Sequence, residues 1–297
     1  MESKNEKSAN SIYPKLIGSS MAGILETSIF HPFDTISKRL MSNEKKLIIR
    51  GPESNLKQVI FHTNKPFGMF TQIPSLYRGI GYGIWHRASQ RMYGYGGQPI
   101  LRSYVEKYYD AKTKNDRILC ETAAGAVIGV GESMFMPSDV LKVKKQTNID
   151  TFNGRSFITI LRNENMREMY RGIGITSIRN LVGRSNLYFI NSVMREYVFE
   201  KDNQWDMSFM QYSLISFISI TSSILFTAPF DVIKTRVQNR DFGNTDGSFK
   251  IARRILNEEG YRGFFKGLNT KLLIISPKIM FSFTASQYLI SYFEKNL

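Results

Sequence analysis

The sequence predicts an all-α membrane protein, with six transmembrane helices in three repeats related by a pseudo-threefold axis. Two phrases and one pattern carry that prediction. The first phrase reads Pro32-Phe33-Asp34-Thr35-Ile36-Ser37-Lys38-Arg39, and recurs as Pro137-Ser138-Asp139-Val140-Leu141-Lys142-Val143-Lys144 and as Pro229-Phe230-Asp231-Val232-Ile233-Lys234-Thr235-Arg236. Its prolines stand 105 and 92 residues apart, so the 297 residues hold three copies of one unit. The second phrase keeps the same interval: Tyr77-Arg78-Gly79, Tyr170-Arg171-Gly172 and Phe265-Lys266-Gly267. The pattern is a largely apolar stretch before each proline, with sidedness at the helical period.

Taken in order, residues 1–13 are polar and mixed in charge and read as a disordered tail. The repeats follow at 14–108, 109–199 and 200–297. Each holds two long helices, at 14–42 and 80–108, 117–147 and 173–199, and 208–239 and 268–294. Their outer faces are rich in Ile, Leu, Val, Phe and Met, and their inner faces carry Glu26, Arg87, Glu132, Arg179, Arg184 and Lys278. Gly18, Gly23, Gly125 and Gly129 allow close backbone approach within a bilayer, and Ser216, Ser219 and Ser223 serve the fifth helix. Pro32, Pro137 and Pro229 lie inside the odd helices, where a missing N–H predicts a kink. The polar segments between odd and even helices are expected to carry short surface helices such as 154–167 and 247–258.

Net charge is +15 and the isoelectric point about 9.8, which points to an anionic partner: nucleic acid, phospholipid or a phosphorylated metabolite. The single cysteine, Cys120, excludes an internal disulfide and is expected to be buried. Mean hydropathy is −0.24, and no unbroken apolar run of about 18 residues exists. Membrane helices around a wet cavity reconcile both facts, because their inner faces must be polar. No phosphate loop, zinc-ligand spacing or nucleophile elbow occurs, and His31, His62 and His86 stand apart, so neither catalysis nor a metal site is expected. Nucleic-acid binding would need a basic surface stripe, whereas these bases cluster between helices and at helix ends.

Within each proline phrase, positions three apart share a helix face. In a ring of three odd helices, each Asp can then meet the base of the next repeat: Asp34 with Lys142, and Asp139 with Lys234. Asp231 would meet position 37, which is Ser37, and Lys38 points about 100° away. Two full ion pairs and one defective link are therefore expected at a gate. Gln146 and Gln238 stand where they could brace the pairs, and Met41 holds the third such position.

These phrases are the mark of a known family: over roughly residues 14–294 the chain resembles mitochondrial carriers. The resemblance implies a multi-pass protein of the mitochondrial inner membrane, working as a monomer by alternating access, with the proline phrases as its matrix gate. It implies a central substrate site seven to eight residues beyond each aromatic-basic-glycine phrase, at His86, Arg87, Arg179, Asn180, Ile274 and Ile275. Arg184, Lys271 and Lys278 join it by helical spacing. The stretches 30–43, 139–148, 228–240 and 264–278 are similar to family members that exchange guanine nucleotides, with a carrier of another nucleotide, a coenzyme or a small anion as the alternative. In that reading Arg179 and Asn180 hold the base, since a guanidinium forks onto the O6/N7 edge of guanine, and Arg87, Arg184 and Lys278 hold phosphate. Glu26 and Glu132 are candidate proton carriers that offset the extra charge of GTP over GDP, or else cavity carboxylates paired with arginine. The resemblance further implies cardiolipin at Arg78-Gly79, Arg171-Gly172 and Lys266-Gly267, and no other cofactor. The far ends of the even helices lack the acid-base phrase common in the family, so an apolar or hydrogen-bonded outer gate is expected.

Overall fold

The computed structural model describes residues 2–43, 56–61, 69–109, 113–147, 159, 169–200, 208–239 and 247–296. Among these no strand occurs. The long helices are α1 (Glu2–Ser42), α4 (Ile80–Tyr109), α5 (Lys114–Gly131) continued by α6 (Met136–Thr147), α7 (Ile173–Val193), α8 (Phe209–Asn239) and α10 (Leu268–Asn296). Short helices α2 (Leu56–Phe61), α3 (Met69–Leu76) and α9 (Ser248–Glu259) lie in the connections. The α9 helix matches the expected 247–258, whereas 154–167 falls outside the described residues, apart from position 159.

Two boundaries differ from expectation. The helix α1 runs back to Glu2, so the polar N-terminal segment is helical. Its first turns hold no glycine or proline, and Glu2 and Glu6 lie where the helix dipole favours acids. The third long helix is not continuous, because Glu132–Phe135 form a 3-10 turn between α5 and α6. That turn stands just ahead of Pro137. The chain stays helical through Pro32 and Pro229. At its far end α7 widens into a π turn, Met194–Val198.

The long helices form a closed ring in chain order. Helix α1 packs on α4, α4 on α5, α5 on α7, α7 on α8 and α8 on α10, and α10 returns to α1. The threefold relation is visible in the backbone. Gly79, Gly172 and Gly267 adopt φ of 81°, 78° and 78° at the starts of α4, α7 and α10. Each packs on the odd helix of the next repeat: Gly79 on Lys142 and Lys145, Gly172 on Val237, and Gly267 on Ser37 and Met41. Left-handed backbone and close approach both require glycine there.

The polar-apolar distribution is inverted relative to a water-soluble bundle. On α1 the large side chains Ile17, Met21, Leu25, Ile29 and Phe33 are exposed at four-residue spacing, while Ser19, Glu26, Thr27, His31 and Thr35 are buried. On α8, Phe217, Leu225 and Phe226 face outward, and Asp231 and Lys234 are buried. Outward apolar faces around a polar interior suit lipid as the solvent. Two stretches, Lys114–Thr147 and Met210–Asn239, also meet the length and hydropathy of a membrane span by composition alone, at 1.3 and 1.6.

Candidate functional site: an ion-paired cavity and its inner mouth

At the inner mouth, Lys234 Nζ lies 2.7 Å from Asp139, and Asp34 lies between Lys142 Nζ at 3.9 Å and Lys278 Nζ at 3.5 Å. Gln238 donates to Asp139 at 3.2 Å. Gln146 behaves differently from its expected bracing role. Its amide donates to Thr35 Oγ1 at 2.9 Å and sits 3.4 Å from His31, away from the Asp34–Lys142 pair. Thr35 occupies the step of the α1 surface that Gln146 reaches, and its hydroxyl in turn donates to the Leu76 carbonyl at 2.7 Å. The third link is more than defective. Asp231 is held by Arg179 Nε at 2.8 Å and Lys271 Nζ at 2.8 Å, while Lys38 donates to Thr235 Oγ1 at 3.0 Å.

One to two turns further into the ring, the even helices present a belt of cations, each paired to an acid on an odd helix or its 3-10 extension. Glu26 takes Arg87 at 2.6 Å, Arg91, and Lys278 at 3.6 Å. Glu132 takes Arg184, with Gln90 at 3.4 Å. The carboxylates of Glu26, Glu132 and Asp231 are 1–3% exposed, whereas Arg87, Arg179, Arg184 and Lys278 are 27–38% exposed. The acids therefore form the wall, and the cations keep a face open to the cavity. Both Glu26 and Glu132 are paired with arginine, the second of the two arrangements the sequence left open.

His86 is engaged by the gate helix rather than by the belt: its Nδ1 lies 3.0 Å from Ser138 Oγ and its Nε2 3.8 Å from Asp139. Helix α4 packs directly on α6 at this level, which brings the imidazole to that partner. Asn180 is buried and accepts from Arg179 Nη1 at 3.2 Å. Ile274 is half-buried and Ile275 buried. Arg78 is exposed, Arg171 half-buried, and Lys266 is turned inward, donating to the Asn43 carbonyl at 2.8 Å and pairing with Glu259 at 2.5 Å. Glu259 also takes both terminal nitrogens of Arg236. Burial alone would raise the Glu259 carboxyl; the bonds from Arg236 and Lys266 outweigh it and hold the group below the ordinary carboxylate range.

Sequence reasoning missed two features. Arg91 lies one turn beyond Arg87 and joins α4 to α1 and α10, bonding the Ser19 carbonyl at 2.9 Å and Ser282 at 2.5 Å besides Glu26. Its i,i+4 relation to Arg87 was the available signal. At the outer end, Glu121 is buried and pairs with Arg195 at 2.8 Å and with Arg102, and Ser192 donates to it. An ionic cluster thus joins α4, α5 and the end of α7 at the outer end. Its acid lies on an odd helix, which a search confined to even helices passes over.

A ring of paired helices in three repeats, closed at one end by Asp–Lys pairs and lined by cations, is the architecture of a membrane carrier. The sequence profile described as "Mitochondrial carrier protein" matches residues 114–202 and 206–297. The chain is 42% identical over 293 residues to mitochondrial GTP/GDP carrier protein 1 of Saccharomyces cerevisiae, covering 95% of each. It is 40% identical over 300 residues to an uncharacterized mitochondrial carrier of Schizosaccharomyces pombe, covering 99% of this chain and 98% of that one. It is 26% identical over 318 residues to mitochondrial citrate transporter C of Aspergillus niger, covering 97% and 93%. The chain belongs to the mitochondrial carrier family. It is accordingly a multi-pass transporter of the mitochondrial inner membrane with the mitochondrial carrier fold.

Proposed function

We propose that the chain exchanges guanine nucleotides, GTP against GDP, by alternating access around the cationic belt. One observation carries the reading: Arg87, Arg179 and Arg184 each keep an open face while their acids are buried behind them, and Lys278 keeps one between the buried Glu26 and the partly exposed Asp34. An incoming polyphosphate can take these cations from the cavity side, forming charge-assisted bonds in place of those to the wall. Belt and gate together hold nine basic side chains (Lys38, Arg87, Arg91, Lys142, Arg179, Arg184, Lys234, Lys271, Lys278) against five acids (Glu26, Asp34, Glu132, Asp139, Asp231). That positive excess suits an ionised nucleoside phosphate. Arg179 and the adjacent Asn180 supply the fork and the amide that a guanine edge requires. The likeness to the yeast GTP/GDP carrier supports the choice of base over other anions.

The same reading treats all six long helices as spans, the protein as a monomer, and cardiolipin as bound at the glycine starts of α4, α7 and α10. There the backbone N–H groups attract phosphate. Enzymatic chemistry has no part in it.

The test is uptake of labelled GTP into liposomes containing the purified protein and loaded with GDP, GTP, ADP, ATP or citrate. Uptake driven by internal guanine nucleotides well above the others is the expected result. Equal rates against adenine nucleotides or citrate would refute the guanine reading.

A further inference from the structure

We propose that Ser42, Thr147 and Asn239 form a neutral seal across the closed inner mouth, one layer beyond its ion pairs, with Asn239 joining all three repeats. The inference rests on alternating access through this mouth and on no particular substrate.

The three residues are threefold equivalents. Each stands ten residues past its proline, Pro32, Pro137 or Pro229. Each is also the last residue of its helix, α1, α6 or α8, and these three helices touch one another. Asn239 lies between the other two. Its Nδ2 donates to Ser42 Oγ, and its Oδ1 accepts from Thr147, whose hydroxyl is shared with the Val143 carbonyl of its own helix. One amide thus ties repeat 3 to repeats 1 and 2. Thr147 is buried, and Ser42 and Asn239 are half-buried.

The chemistry of the place explains why the seal is uncharged. Three helix C-termini converge there, each with unpaired carbonyls and about half a negative charge. Bases of neighbouring repeats already cover two of them. Arg39 of α1 donates to the Gln146 carbonyl at 2.8 Å, and Arg236 of α8 donates to the Met41 and Asn43 carbonyls at 3.1 and 3.2 Å. A carboxylate at this level would be repelled by the helix ends, whereas hydroxyls and an amide carry no charge to repel. Between repeats 3 and 1 the proline phrases supply neither a lysine nor a glutamine, since Ser37 and Met41 hold those positions. There the Asn239–Ser42 bond joins the repeats, beside the bond from Lys38 to Thr235 at 3.0 Å. Salt does not screen a neutral bond, so this share of the closure is independent of ionic strength.

The experiment reads opening of the mouth as the rate at which a cysteine at position 37 reacts with an anionic methanethiosulfonate reagent, in purified full-length protein without nucleotide. Position 37 is 2% exposed and its hydroxyl has no hydrogen-bond partner among the described residues. Ser37→Cys, made together with Cys120→Ala, therefore places a reporter inside the closed mouth. Asn239→Leu keeps the shape and removes both bonds, and should raise the rate about five- to hundredfold. Ser42→Ala and Thr147→Val should each raise it about two- to tenfold. Thr147→Ser keeps the hydroxyl and should match the parent chain. Ser42→Ala should add nothing on top of Asn239→Leu, because both act through one amide. These ratios should be the same at low and at high salt. In versions that keep Ser37 and Cys120, the buried Cys120 thiol of α5 should stay equally protected in every variant.

Unchanged labelling of position 37 in Asn239→Leu would overturn the seal. So would additive effects, a gain that vanishes at high salt, or a parallel rise at Cys120, which would mean general loosening. If Asn239→Leu does not fold, the rise in Ser42→Ala and Thr147→Val, against none in Thr147→Ser, decides. Labelling needs no substrate, so this inference and the guanine reading fail separately. Exchange of adenine nucleotides or citrate as fast as guanine, with labelling as expected, refutes the guanine reading and leaves the seal. Guanine-selective exchange with unchanged labelling does the reverse.

Discussion

Replacing each of Gly79, Gly172 and Gly267 by alanine should destabilise the protein in a graded order set by what the new methyl group meets. All three share the left-handed backbone, which costs a non-glycine residue about 1 to 2 kcal/mol. At Gly79 a Cβ would lie 3.1 Å from Lys145 Cβ and 3.2 Å from the Lys142 carbonyl, close enough to need only a small shift. At Gly172 it would lie 2.7 Å from Val237 Cγ1, a branched side chain in the packed cluster of Val232, Ile233 and Val237. At Gly267 it would lie 2.8 Å from the Ser37 carbonyl, which is backbone and cannot rotate aside. Overpacking of this kind adds about 1 to 3 kcal/mol. The expected losses are therefore about 1 to 2 kcal/mol for Gly79→Ala and about 2 to 5 kcal/mol for Gly267→Ala, with Gly172→Ala between them. For a chain of this size each kcal/mol lowers the melting temperature by about 2 °C. The buried thiol of Cys120 allows the transition to be followed with a thiol-reactive dye in detergent. Equal losses at the three positions, or a larger loss at Gly79 than at Gly267, would refute the claim that these glycines are held by contact with the next repeat.

Single contacts elsewhere in the ring carry their own consequences. Arg195 is fully buried against Glu121 and Glu196, so Arg195→Met should cost about 3 to 5 kcal/mol, whereas Arg102→Met, at a partly exposed site, should cost about 1 kcal/mol, both read as melting temperature. Arg184→Gln removes a belt cation and leaves Glu132 buried with Gln90 alone of its named partners, so exchange should fall at least about tenfold, with partial rescue by Arg184→Lys. Glu259 is held below its ordinary range in the folded state, so its contribution is present above about pH 4.3 and is lost as pH falls through the lower folded value. Glu259→Gln should accordingly lower stability at neutral pH and flatten its decline in acid, measured by melting temperature against pH.

The repeats, the six long helices and the inward charges were legible because proline, glycine and aspartate recur at fixed intervals and helical period assigns faces. Period does not say which residue lies across the ring. The departure at Ser37 could be read as a missing base, but the destination of Asp231 depends on how far α7 and α10 lean toward α8, which is a property of packing. Gln146 lay on the expected face, but its amide bonds Thr35, a partner that period alone does not name. The break at Glu132–Phe135 could not be foreseen from Pro137, since Pro32 and Pro229 sit in uninterrupted helix. The outer cluster around Glu121 was hidden because its members come from three helices with no shared phrase.

A carrier that exchanges one nucleotide for another should move label only when both faces can load, so labelled GTP uptake into proteoliposomes with and without internal GDP is the measurement to make. Rapid uptake against internal GDP, with almost none into empty vesicles, is the predicted result. Equal uptake into empty vesicles would contradict it.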